Sequence, residues 1–104
     1  MTSTTFAIFL QAMKNKLQIS CIYQGLRREI CPHPIGWGAN GEEMVLEYQF
    51  SGESAKGLPP NGEWRCFKLK EVYNAITKVG DWHTGGSHIQ PQTCVKLIDF
   101  EVRI

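Results

Sequence analysis

Glycine and proline are the residues that most restrict how this chain can fold. Ten glycines and five prolines are spread through 104 residues, so turn signals interrupt the chain at intervals of roughly ten residues. A chain broken this often favours several short strands over a few long helices. At this length we expect the strands to belong to one domain over 1–104.

The N-terminal segment has a helical pattern, and Lys70-Glu71 and Asn74-Ala75 would also suit a helical turn. In the N-terminal segment, apolar residues recur at a spacing close to 3.6, and Thr4 or Thr5 is placed to cap the first turn. We therefore expect a helix over 5–16 that docks one apolar face on the domain core. Its apolar positions are Phe6, Phe9, Leu10, Met13 and Leu17.

Alternating apolar and polar residues predict five or six strands over 17–104. The first two form a hairpin around Gln24-Gly25, because glycine accepts a positive φ without steric cost. The following run, 31–36, holds two prolines, which predict an edge strand or a bend because proline donates no ladder hydrogen bond. Further strands are predicted over 44–50, 64–69, 72–79 and 94–104, the last with Ile98, Phe100, Val102 and Ile104 facing inward. Strands so spaced are typical of a small sandwich or barrel.

Charge and targeting signals limit the classes of function. The formal net charge is +1, whereas proteins that neutralise many phosphates are usually far more basic. We find no secretion signal at the N-terminus and no apolar run near the ~20 residues that span a bilayer. We therefore expect a cytoplasmic protein without membrane contact, and we interpret its cysteines as reduced, core-facing residues. These are Cys21, Cys31, Cys66 and Cys94.

Catalysis and metal binding have little support in the residue pattern. Cys31 and His33 would share a face of a strand, as a thiol and its base must, but no nucleophile elbow or carboxylate pair accompanies them. A zinc site would need some of these cysteines with His33, His83 or His88, whose spacings match no standard finger. We predict no enzyme, no catalytic or metal-ligating residue and no cofactor; a zinc or cysteine enzyme is the weaker alternative.

A binding function has better support. Arginine can meet a carboxylate or phosphate with two parallel hydrogen bonds, and aromatic faces can stack a base. Such residues cluster on the neighbouring predicted strands: Arg27, Arg28, His33, Tyr48, Gln49, Trp64 and Arg65. In the alternative interpretation the aromatic rings belong to the core. The arginines would then pair with Glu29, Glu47 or Glu53.

Three short runs resemble the WYL domain family, in particular its short single-domain members from bacteria and mobile elements. The resemblance covers roughly residues 6–80. The runs are Arg28-x-x-x-Pro32-His33-x-x-Gly36, Val45-Leu46-x-Tyr48-Gln49-x-x-Gly52-x-Ser54 and Trp64-Arg65-x-Phe67-x-Leu69. The family's Trp-Tyr-Leu triplet falls where this chain has Met44-Val45-Leu46. Moreover, the single predicted helix leaves no room for the helix-turn-helix that usually accompanies a WYL domain.

The resemblance implies a fold and a function. The fold would be a small Sm-like or SH3-type β-barrel after one N-terminal helix. The function would be non-enzymatic and regulatory: sensing a nucleotide or a short single-stranded nucleic acid in a basic, aromatic groove. The implied ligand-binding residues are Arg28, His33, Tyr48, Gln49 and Arg65, with Phe67 either beside them or in the core. A regulatory protein partner or a homodimer is also compatible, and a protein–protein interaction module without a small ligand is the alternative.

Overall fold

The computed structural model describes residues 2–54, 57–58, 62–83 and 94–102. Its strands form one antiparallel sheet in the order β4-β3-β2-β1-β5, and β6 pairs with β2. Along the chain the elements are α1 (Thr4–Lys14), β1 (Gln18–Tyr23), β2 (Leu26–Trp37), β3 (Glu43–Gly52), β4 (Glu63–Lys68), a 3-10 turn (Leu69–Glu71), β5 (Val72–Lys78) and β6 (Leu97–Glu101). Within these residues, the prediction of a mainly β fold with one N-terminal helix and five or six strands is confirmed.

The sheet is open, so the expected closed barrel is not formed by the described strands. Closure would require a hydrogen-bonded ladder between β4 and β5. In the described part of the chain, β4 pairs with β3 and β5 pairs with β1. The strand that organises the sheet is β2, which spans 12 residues and pairs with β3 on one side and with β1 and then β6 on the other.

The two prolines lie within β2 and do not end it. Pro32 is opposite Glu47 of β3, Pro34 is opposite Glu101 of β6, and the β2–β3 register shifts between Pro32 and Ile35. A β-bulge of this kind leaves a residue outside the ladder, and proline is tolerated there. The predicted bend is therefore a bulge inside a long strand.

The helix begins and ends slightly earlier than its apolar pattern predicts. Its cap is Ser3, not Thr4 or Thr5: the Ser3 hydroxyl accepts a hydrogen bond from the Phe6 N–H at 3.1 Å. Lys16 has a φ of 49°, a left-handed conformation that no helix continues through. The buried helical residues are Phe6, Phe9, Ala12 and Met13, which pack on Ile19, Ile30, Ile35 and Val45 of the sheet.

The last strand is shorter than predicted, and one of its apolar residues faces the wrong way. Phe100 pairs with Ile35 but Ile98 pairs with Gly36, so the register shifts by one residue between them. Adjacent residues of β2 face opposite sides, and Ile98 is accordingly 43% exposed while Val102 is buried. Ile104 lies outside the described residues.

The cysteines divide into two kinds. Cys21 and Cys31 are buried thiols, as predicted. Cys66 and Cys94 form a disulfide with a Cα–Cα distance of 6.3 Å, so the prediction of four reduced cysteines is wrong for this pair. Cys66 is exposed, because it points away from the core side of the edge strand β4. Since disulfides persist mainly in oxidising surroundings, the pair removes one basis for expecting a cytoplasmic protein.

Candidate binding cavity

Strand register brings three of the predicted ligand-binding residues to one face of the sheet. Ile30 of β2 is opposite Gln49 of β3, and Glu47 is opposite Arg65 of β4. Because side chains alternate along a strand, Arg28, Gln49 and Arg65 then lie on the same side. Contact follows: Arg28 Nη1 donates to Gln49 Oε1 at 3.2 Å.

Arg28 and Arg65 line a cavity of about 650 Å³, and Gln49 contacts it only through Arg28. One wall of the cavity is formed by the stacked rings of Tyr23 and Phe67, whose centroids are 3.8 Å apart. The Arg28 guanidinium carbon lies 5.7 Å from the Tyr23 centroid and 5.5 Å from the Phe67 centroid, within the range of a cation–π contact. The lining residues are Tyr23, Gln24, Arg28, Ser54, Gly57, Glu63, Trp64, Arg65, Cys66 and Phe67.

Arg28 is a buried cation without an ion-pair partner in the described residues. It is only 3% exposed, and its Nη2 reaches the Tyr23 carbonyl at 3.4 Å. Burial lowers its pKa, and the positive charge of Arg65 lowers it further. Its Nε is buried and has no hydrogen-bond partner among the described residues. The contacts of Arg28 in the described residues are therefore two hydrogen bonds and two aromatic rings, with no carboxylate among them.

Arg65 lies nearer the surface and is partly neutralised. Its Nη2 donates to Glu63 at 2.6 Å and to the Ser54 hydroxyl at 2.8 Å. The side chains of Arg65 and Glu63 are 24% and 47% exposed. Arg65 Nε is also buried without a partner in the described ranges. The cavity therefore has a polar rim, Glu63 and Arg65, and a deeper cation, Arg28.

Glu47 belongs to this cluster, although its sequence pattern does not identify it as a site residue. It is fully buried, and neither carboxylate oxygen has a hydrogen-bond partner within the described segments. Burial raises its pKa well above the usual range, outweighing its own backbone N–H and the guanidinium groups of Arg28 and Arg65. In the sequence, the signal that Glu47 faces the site is its position two residues from both Val45 and Gln49, which puts all three side chains on one face of β3.

His33 and Tyr48 do not join the cavity cluster. Tyr48 is adjacent to Gln49, so strand alternation turns the two to opposite faces. His33 is fully buried, and its ring lies 4.7 Å from Trp64 and 5.5 Å from Trp82; Tyr48 lies 5.3 Å from Trp64. The structure therefore does not bring all five predicted residues together: His33 and Tyr48 pack in an aromatic cluster on the other face, which meets the cavity only through Trp64.

The Cys31–His33 pair lacks an activated thiol. The Cys31 sulfur accepts a hydrogen bond from the His83 N–H at 3.3 Å. Burial raises the pKa of Cys31 to about 11, against a smaller lowering by that hydrogen bond. A nucleophilic cysteine needs the opposite shift. We find no cluster of three possible metal ligands within the described residues, and His88 lies outside them.

Fold and site together define a small, mainly β structure with an open cavity lined by two arginines. No protein-family model matches the chain, and the searches of curated proteins and of solved structures find no match either. No helix of the described residues has the length and apolar composition needed to cross a membrane.

Proposed function

We propose that this chain is a non-enzymatic binding module that holds the phosphate of a nucleotide or a short single-stranded nucleic acid in the Arg28–Arg65 cavity. The observation that carries the proposal is the meeting of these two arginines from β2 and β4 in one cavity. Phosphate supplies acceptors of the kind that guanidinium donors bind most strongly.

The resemblance to WYL domains supports the same function. It implies a sensor of nucleotides or nucleic acid, with Arg28, Gln49 and Arg65 among its ligand-binding residues. The ligand-binding role of these three residues stays a prediction. His33 and Tyr48 leave the proposed site, since they pack in the aromatic cluster on the opposite face.

The proposal is tested by fluorescence anisotropy with labelled AMP and a labelled short oligothymidylate. We expect salt-sensitive binding to at least one of these probes. Arg65→Ala should weaken binding about tenfold or more, as expected for a lost charge-assisted hydrogen bond. A protein that binds neither probe at low salt would show that the cavity has another role.

Arg27→Ala is the matched control. Arg27 adjoins Arg28 in β2 but its side chain is 63% exposed, with a 3.8 Å contact to Glu29. The substitution removes the same charge from the chain and leaves the cavity intact. Binding should be nearly unchanged in this variant. An equal loss in Arg27→Ala and Arg65→Ala would mean that net charge alone, not the cavity, attracts the probe.

A protein–protein interaction module is the second candidate, favoured by exposed apolar residues on β5 and β6. Tyr73 is 64% exposed, Ile76 59% and Leu97 65%. β5 is also an edge strand in the described sheet, and such a strand can pair with an edge of a second copy. A homodimer that Ile76→Glu dissociates, together with no phosphate binding, would favour this function; a monomer at all concentrations would contradict it.

A further inference from the structure

The position of Arg28 restricts which phosphate can reach it. The side chains of Glu63 and Arg65 are 47% and 24% exposed. Arg28, by contrast, is only 3% exposed as a whole residue. An anion that contacts Arg28 must therefore pass the rim and lie inside the cavity. Arg28 is held there by Gln49 and the Tyr23 carbonyl, so the guanidinium has little freedom to move outward to meet a ligand.

A phosphate inside a nucleic-acid strand is poorly suited to this geometry. A phosphodiester is joined to the strand on both sides, so burying it requires two chain segments to enter with it. A terminal phosphate is joined on one side only and can enter first, with the rest of the ligand at the rim. It also carries about −1.5 to −2 charges at neutral pH and three acceptor oxygens.

The charge of the cavity matches such a group. Two guanidinium groups face one exposed carboxylate, Glu63. The buried Glu47 does not supply a second anion when it is protonated, and its raised pKa favours that form. The cavity then keeps a net positive charge, carried by the two guanidinium groups that line it.

Resting on the function proposed above, we infer that the cavity selects a terminal phosphate monoester over an internal phosphodiester. Arg28 contacts the phosphate at the floor of the cavity. Arg65 weakens its ion pair with Glu63 and makes a second contact with the phosphate at the rim of the cavity. Mononucleotides and 5′-phosphorylated strands share this terminal group, and both are ligands by this inference.

The test compares matched probes that differ only in the terminal phosphate. AMP is compared with adenosine, and a 5′-phosphorylated oligothymidylate with the same strand lacking that phosphate, by isothermal titration calorimetry. We expect removal of the phosphate to weaken binding about tenfold or more in each pair, the scale of a charge-assisted hydrogen bond to a buried group. Binding of AMP alone would identify a nucleotide as the ligand; binding of both phosphorylated probes would include strand ends.

The remaining outcomes distinguish a failure of the terminal-phosphate inference from a failure of the proposed phosphate-binding function. If both oligothymidylates bind equally, the terminal-phosphate inference is overturned while the proposed phosphate-binding function stands. If no probe binds, both fall. Arg28→Ala should abolish the preference for the phosphorylated probe, and Arg27→Ala should keep it. Should Arg28→Ala fail to fold, as its melting curve would show, Arg65→Ala provides the same comparison at a partly exposed position.

Discussion

Replacing the buried Glu47 with glutamine should change how stability depends on pH. Burial raises the pKa of this carboxyl in the folded protein, whereas in the unfolded chain it is about 4.3. The folded state therefore holds a proton that the unfolded state has released. The resulting stability is fully present below the unfolded pKa and is lost as pH rises towards the folded pKa.

The magnitude follows from linkage. Between the unfolded and folded pKa values, this one group lowers the free energy of unfolding by up to about 1.4 kcal/mol per pH unit. Cys21, whose pKa burial raises to about 12, keeps its proton throughout this range. Glu29 has a lowered pKa, because hydrogen bonds from Lys78 and Ser20 outweigh its burial, but wild type and variant share that contribution.

Urea unfolding of wild type and Glu47→Gln from about pH 5 to about pH 8 gives the comparison. At about pH 5 the side chain at position 47 is neutral in both folded proteins. The difference between their free energies of unfolding therefore measures only the exchange of a carboxylic acid for an amide. As pH rises, we expect the free energy of unfolding of the variant to increase relative to that of wild type, by up to about 1.4 kcal/mol per pH unit. A difference that stays constant with pH would mean that Glu47 is ionised and neutralises the arginines, which would refute a cavity with free positive charge.

Three further predictions concern the cysteines and one glycine. Reducing the Cys66–Cys94 disulfide, which joins residues 28 apart, should lower the free energy of unfolding by ~3–4 kcal/mol; an unchanged urea midpoint would show that the bridge is dispensable. The buried thiols of Cys21 and Cys31, with pKa values raised by burial to about 12 and about 11, should react with Ellman's reagent only after denaturation; rapid labelling of the native protein would contradict their burial. Gly36→Ala should destabilise the protein by at least ~1 kcal/mol in thermal melting, because a Cβ would clash with a backbone carbonyl of β6; an unchanged melting temperature would mean that β6 does not lie against β2.

The elements of this fold are largely predictable from the sequence because their signals are local. Turn residues such as Gly25, with a φ of 77°, and the alternation along β3 depend only on neighbouring residues. Sheet closure depends on which strands pair: β4 and β5 adjoin in the chain, yet β4 pairs with β3 and β5 with the distant β1. Local patterns do not encode that choice. The bulge around Asp99 that turns Ile98 outward is likewise set by pairing with β2.

The candidate site is predictable in part for the same reason. Arginine chemistry points to Arg28 and Arg65, and register brings them together. Tyr48 lies on the opposite face from Gln49, as strand alternation already implies for adjacent residues. Glu47 is predicted only as a partner for an arginine. Its burial depends on the packing of β3 between β2 and β4 in the sheet, a tertiary property with no local signature.

The most direct measurement is a double-mutant cycle on AMP binding, using Arg28→Ala, Arg65→Ala and the double variant. If the two guanidinium groups hold one phosphate in one cavity, their contributions should be coupled by roughly 0.5 kcal/mol or more. The double variant should then lose less affinity than the two single losses added together. Fully additive losses, or wild-type affinity in both single variants, would contradict a shared site.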